Sequence, residues 1–182
     1  MRYVVFTLTL LLLTVTSVAK AQRSVSELPS AHADALQQFL AKHQGLEFLP
    51  ETAINKDVLR EMRNAFGVRF KPYYRTGDFN HDGLPDFAMI LGKEGGPTGD
   101  QGPGIAETHR YLYDVTIVIF NGAGKSYKPA FVKTTKAPLV CVLTTTSERR
   151  RRLSFGVFET DEGFIMTPAG KGYIIEQGAE PE

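Results

Sequence analysis

Between Gly77 and Phe87 the chain reads Gly-Asp-Phe-Asn-His-Asp-Gly-Leu-Pro-Asp-Phe, and this run carries its clearest chemistry. Asp78, Asn80 and Asp82 place oxygen-bearing side chains at alternate positions, and Asp86 adds a further carboxylate. Gly83 stands where a tight loop must turn sharply, and Leu84 can offer its backbone carbonyl. A hard cation needs this pattern. Calcium takes six to eight oxygens at roughly 2.3–2.6 Å, and a short loop wound around the ion supplies most of them from alternate residues. Carboxylates crowded into so short a loop repel one another unless a cation sits among them. The expected cofactor is therefore calcium, with Asp78, Asn80, Asp82, Leu84 and Asp86 as its ligands. His81, at the fourth loop position, is expected to point outward.

The loop is not a complete EF-hand. Met89 occupies the twelfth position, where that motif carries a bidentate Glu. Phe87-Ala88-Met89-Ile90-Leu91 then runs apolar to Gly92, which predicts a buried strand rather than a helix. Without the Glu, Asp86 has to act as a direct ligand. An Asp/Asn/Gly-rich turn that binds nothing is the competing reading, since these residues favour turns on their own account.

Other chemistry is weaker. Gly124-Lys125-Ser126 resembles the end of a phosphate-binding loop, but Ile119 stands where the leading glycine belongs, and a hairpin turn explains the segment better. His32, His43, His81 and His109 form no HExxH pair and no zinc spacing. Glu107 and His109 border a Gly-rich stretch and are candidates to meet a ligand. Glu159, Asp161 and Glu162 could serve as paired carboxylates for glycoside hydrolysis, but they surround Gly163 in a predicted turn and read better as a solvated tip. Arg149 to Arg152 form a basic run that is either an anion-docking loop or a solvated strand end.

The elements that must position the loop follow from periodicity. A helix is expected over Ala31–His43, capped by Ser30, and a second over Lys56–Phe66, capped by Asn55 and stopped by Gly67. Strands are expected at Val68–Tyr74, Asp86–Leu91, Tyr111–Phe120, Tyr127–Thr134, Leu139–Thr145, Leu153–Phe158, Phe164–Thr167 and Tyr173–Glu176. Two helices followed by strands predict an α+β fold, the helices packed on a mainly antiparallel sheet. The Gly92–Gly104 segment interrupts the strands with a long glycine- and proline-rich insertion, a kind of loop that is often functional.

Residues 1–21 read as a signal peptide: Arg2, then the apolar stretch Val4–Val18, then the cleavage site Ala19-Lys20-Ala21. The stretch is shorter than the roughly 20 residues of a membrane span. Without Arg2 and Lys20 the 21 basic residues fall to 19 against 20 acidic, a net charge of −1, which gives no case for nucleic-acid binding. The remaining chain, residues 22–182, is of a size for one domain. Cys141 is the single cysteine, so no internal disulfide is possible; its apolar neighbours predict a buried, inert thiol.

Residues 77–132 resemble one VCBS/FG-GAP repeat, the unit that carries the calcium loop in integrin α-type propellers. The resemblance lies in GDFNHDGLPDFAMIL, the later strand TIVIFN, the hairpin NGAGKSY with Tyr127 as its aromatic, and the closing KPAFV. It implies calcium ligation at Asp78, Asn80, Asp82 and Asp86, in a unit spanning about 75–135. It also implies, more weakly, recognition at cell surfaces. Two departures matter: the Gly-rich insertion splits the unit, and a second aspartate loop is missing, so a propeller is not expected.

The sequence thus reads as a secreted or periplasmic calcium-binding protein. It is expected to be non-catalytic and monomeric, not to span a membrane, and to bind a protein or glycan ligand. The alternatives are a hydrolase of envelope or extracellular polymer, or an inhibitor or immunity-like protein acting through the 92–110 insertion.

Overall fold

The computed structural model describes residues 28–93, 112–146 and 152–177. Residues 1–27, which include the expected signal peptide, most of the Gly-rich insertion with Glu107 and His109, Arg149 to Arg151 and the C-terminal tail lie outside the described residues. What is described is α+β. Helix α1 (Ser30–Leu40) precedes β1 (Leu46–Phe48), a short 3-10 turn (Glu51–Ala53) and α2 (Lys56–Phe66). The strands β2 (Tyr74–Gly77), β3 (Asp86–Lys93), β4 (Tyr113–Ala123), β5 (Ser126–Ala137), β6 (Cys141–Thr145), β7 (Leu153–Val157), β8 (Gly163–Ala169) and β9 (Gly172–Gln177) follow.

Every strand pairing among these residues is antiparallel. The strands form two sheets, where the sequence reading has one. The first runs β1-β3-β4-β5, with β2 also on β3; the second is the meander β6-β7-β8-β9. β3 is the axis of the first sheet. Its start pairs with β2, from Gly77 opposite Asp86 to Tyr74 opposite Met89, and its end pairs with β1, from Phe48 opposite Leu91 to Leu46 opposite Lys93. Two short strands thus share one edge of β3 in tandem, while β4 takes the other edge.

Side-chain alternation along β3 places the layers. Phe87, Met89 and Leu91 face α1, where they join Leu36, Phe39, Val118 and Phe120 in one cluster. Ala88 and Ile90 face the opposite way, into the larger core shared with Ile117, Ile119, α2 (Val58, Met62) and the second sheet (Val142, Leu143, Phe155, Met166). With apolar neighbours on both faces, β3 has to be a continuous apolar run. Parity puts Asp86 on the side of the second sheet.

Two expectations are corrected here. Val68–Tyr74 is not a strand: Val68 and Arg69 turn, Phe70 is buried, and pairing begins only at Tyr74. Pro72 cannot donate a ladder hydrogen bond, but its carbonyl accepts from Leu143 N at 2.8 Å. Together with Arg75 Nε, which donates to Leu143 O at 2.8 Å, it covers the outer edge of β6. The expected Ser30 cap is also absent. Ser30 is the first helical residue, Pro29 precedes it, and no side chain caps the helix. Asn55 does cap α2, accepting from Asp57 N at 2.9 Å. The three-residue β1 was not foreseen; it is too short to show a period.

Candidate functional site: the loop between β2 and β3

The 78–86 loop joins β2 to β3, which pair directly beneath it. His81 (φ 61°) and Gly83 (φ 85°) both lie in the left-handed region. That conformation is cheap for glycine and costs a histidine about 1 kcal/mol or more. These two reversals wind the loop on itself. Asp78 accepts from Asp82 N at 3.1 Å through Oδ1 and from Gly83 N at 3.0 Å through Oδ2. Asn80 Oδ1 accepts from Asp82 N at 3.0 Å, and its Nδ2 donates to Asp82 Oδ2 at 2.8 Å. Asp82 Oδ1 accepts from Leu84 N at 2.8 Å. Asp78, Asn80 and Asp82 therefore converge on one small volume, as their spacing predicts, while His81 is exposed.

Asp86 is placed differently. It is fully buried. Oδ2 accepts from Phe79 N at 2.8 Å and Asn80 N at 3.3 Å, and Oδ1 accepts from Gly122 N at 2.8 Å. Burial pushes its carboxyl above the usual range, the three N–H donors pull it back, and Asp82 pushes it up again. Asp86 thus ties both halves of the loop to the end of β4. Phe79, also buried, anchors the loop from below.

The residues that complete this surrounding lie far away in sequence and were not singled out from it. Gly122 approaches the loop so closely that an added Cβ would lie 2.4 Å from Pro85 O. Its neighbour Asn121 accepts through Oδ1 from the Tyr173 hydroxyl at 2.9 Å. Burial raises the Tyr173 phenol, and the negative charge of Asp86, Asp82 and Asp78 raises it further. A glycine inside the strand pattern TIVIFNG was the available signal for such a close backbone approach.

Calcium fits this donor set in kind: carboxylates and an amide, with no sulfur or imidazole turned inward. As placed, the loop oxygens accept hydrogen bonds from N–H groups, and no three of His, Cys, Asp or Glu among the described residues are grouped to hold a metal.

The other sequence candidates among the described residues have separate roles. Gly124 and Lys125 form the two-residue turn between β4 and β5, as a hairpin requires. Glu159, Asp161 and Glu162 are exposed around the β7–β8 turn. Arg152, the described member of the arginine run, pairs with Glu176 at 2.7 Å. Cys141 is buried, and burial pushes its thiol up to about 12. At the far end of β3, a cleft of about 200 Å³ is lined by Leu49, Gly92, Lys93, Tyr113 and Lys136 among others. The Lys136–Asp114 ion pair, 2.7 Å long, belongs to that lining. No helix among the described residues is long and apolar enough to cross a membrane.

Comparison with protein-family models, curated proteins and solved structures gave no match. The resemblance to a VCBS/FG-GAP repeat therefore rests on the residues of 77–132 themselves.

Proposed function

We propose that this chain is an exported calcium-binding protein, secreted or periplasmic, with a binding or structural role and no catalytic one. In this reading residues 22–182 form a single α+β domain with two N-terminal helices packed on mainly antiparallel sheets, and 75–135 is its VCBS/FG-GAP-like unit. Asp78, Asn80 and Asp82 supply side-chain oxygens, Leu84 its carbonyl and Asp86 the last carboxylate. The ion neutralises charge that the loop otherwise carries unpaired and fixes the turn between β2 and β3. The observation that carries the reading is the convergence of Asp78, Asn80 and Asp82 inside a loop wound by His81 and Gly83. In this reading the partner is a protein or glycan ligand.

Calorimetric titration and thermal melts test the ion. Affinity is expected on the order of 10⁻⁵–10⁻³ M, as in many extracellular sites. At a hundredfold excess over the dissociation constant, calcium adds about 2.7 kcal/mol of stability. Melts that coincide in calcium and in chelator, with no heat of binding, overturn the proposal.

A further inference from the structure

The start of β9 comes close to the strands that carry the loop's partners. β9 begins with Gly172 and Tyr173 and crosses close to β5, the edge strand of the first sheet. The β4–β5 register shifts between Ile119 and Phe120. Ile119 faces Phe131 and Phe120 faces Pro129, so Ala130 is left as an extra residue. A Cβ built on Gly172 would lie 3.2 Å from Ala130 O, so the two backbones nearly touch at this bulge. The Tyr173 ring packs edge-on against Phe131 with centroids 6.2 Å apart, and its hydroxyl donates to Asn121. Asn121 is followed by Gly122, whose N–H is held by Asp86, and Asp86 holds the loop amides of Phe79 and Asn80.

We infer that the path loop–Asp86–Gly122/Asn121–Tyr173 is a conformational relay, by which the state of the 78–86 loop sets how firmly β9 and its partner β8 dock on the first sheet. The geometry leaves little slack. Gly122 sits directly against Pro85 and Leu84, so a loop that moves must carry the end of β4 with it. Asn121 then moves relative to Tyr173. β8 is held to the first sheet by Met166 in the shared core, whereas β9, the outer strand of the second sheet, meets the first sheet at this junction, and such an edge strand is where local opening is cheapest. The role of calcium as the input rests on the proposed function; the relay itself does not.

A double-mutant cycle read by hydrogen exchange over residues 163–177 tests the relay. Asp86→Asn is expected to speed exchange in β8 and β9 several-fold. Tyr173→Phe, which removes only the hydroxyl, is expected to speed it 2- to 10-fold, the range of one hydrogen bond. Because both act through one path, the double variant should exchange no faster than the faster single variant. Gly122→Ala, which pushes the loop away from β4, serves in place of Asp86→Asn if that variant does not fold. Effects that multiply, or a loop variant that leaves β8 and β9 unchanged, overturn the relay.

Calcium supplies a second readout. It should slow exchange in β8 and β9 in the wild type but not in Tyr173→Phe, while both still slow at the loop. By linkage, Tyr173→Phe should weaken calcium binding by the factor by which calcium slows β9. If calcium binds and β9 does not respond, the relay fails and the calcium reading stands. If no calcium binds, the calcium reading fails and the cycle alone decides the relay.

Discussion

The imidazole of His32 lies flat on Phe87, with ring centroids 4.1 Å apart and planes 14° from parallel. Tyr127 meets the same imidazole edge-on at 4.6 Å, and Nδ1 shares a 2.7 Å hydrogen bond with the Tyr74 hydroxyl. One residue of α1 is thereby fixed to β2, β3 and β5 at once.

This contact makes α1 docking sensitive to acid. Burial lowers the His32 pKa from 6.5. The Tyr74 hydroxyl that shares this hydrogen bond stays neutral, its pKa pushed up to about 12 by burial. A depressed histidine contributes fully above the unfolded value, where both states are neutral, and loses that contribution as pH falls through the folded value. Urea melts of wild type and His32→Phe should therefore differ in pH dependence below about pH 6.5. The wild type should lose stability more steeply, and parallel curves exclude the effect.

Phe87 is the centre of the same layer. It stacks on Phe120 with centroids 4.4 Å apart, besides its contact with His32. Phe87→Ala should cost about 3–5 kcal/mol in chemical denaturation. A loss below about 1 kcal/mol, the scale of a surface change, would mean that α1 does not cover this face.

The loop residues should divide by task. Asp78→Ala and Asp82→Ala are expected to abolish calcium binding with little loss of stability in chelator. Asp86→Ala should destabilise the protein even in chelator, by roughly 3 kcal/mol, because three N–H groups lose a buried acceptor. His81→Ala should leave binding nearly unchanged. If His81→Ala weakens binding as much as Asp82→Ala does, the ligand assignment is wrong.

The thiol of Cys141 gives a probe of opening. It is buried and its pKa is raised, so labelling by a disulfide reagent at pH 8 should be slower in the native state by a factor on the order of 10³ or more than in urea. Rapid native labelling would place β6 at the surface.

Much of this was legible because it is local. The α2 boundaries follow from Asn55 and Gly67, which set backbone conformation within one turn. The loop follows from side-chain spacing, and the existence of the β4–β5 hairpin from its glycine-rich segment, although Asn121 and Gly122 belong to β4 and the turn itself is Gly124-Lys125. What could not be read depends on distant partners. Val68–Tyr74 has strand composition, yet Phe70 and Tyr73 serve the core from a turn, and the Tyr73 hydroxyl donates to Leu139 O. The division into two sheets leaves no mark on any one segment, since each strand alternates or runs apolar in the same way whichever sheet it joins. Asn121, Gly122 and Tyr173 bear on the loop only because chain folding brings β4 and β9 to it.

The tandem placement of β1 and β2 on one edge of β3 also constrains the order of events during synthesis. Both strands leave the ribosome before their partner and have nothing to pair with until residues 86–93 appear. β3 in turn stays open along its other edge until β4 arrives, after the long insertion. Loop closure over such distances has to be met before any pairing repays it. A nascent chain halted before β4 would hold β1 and β2 on β3 with its other edge unpaired and without the apolar cover that Val118 and Phe120 supply beside one face and Ile117 and Ile119 beside the other. Chaperone binding to stalled chains should peak in that interval and fall once β4 and β5 emerge.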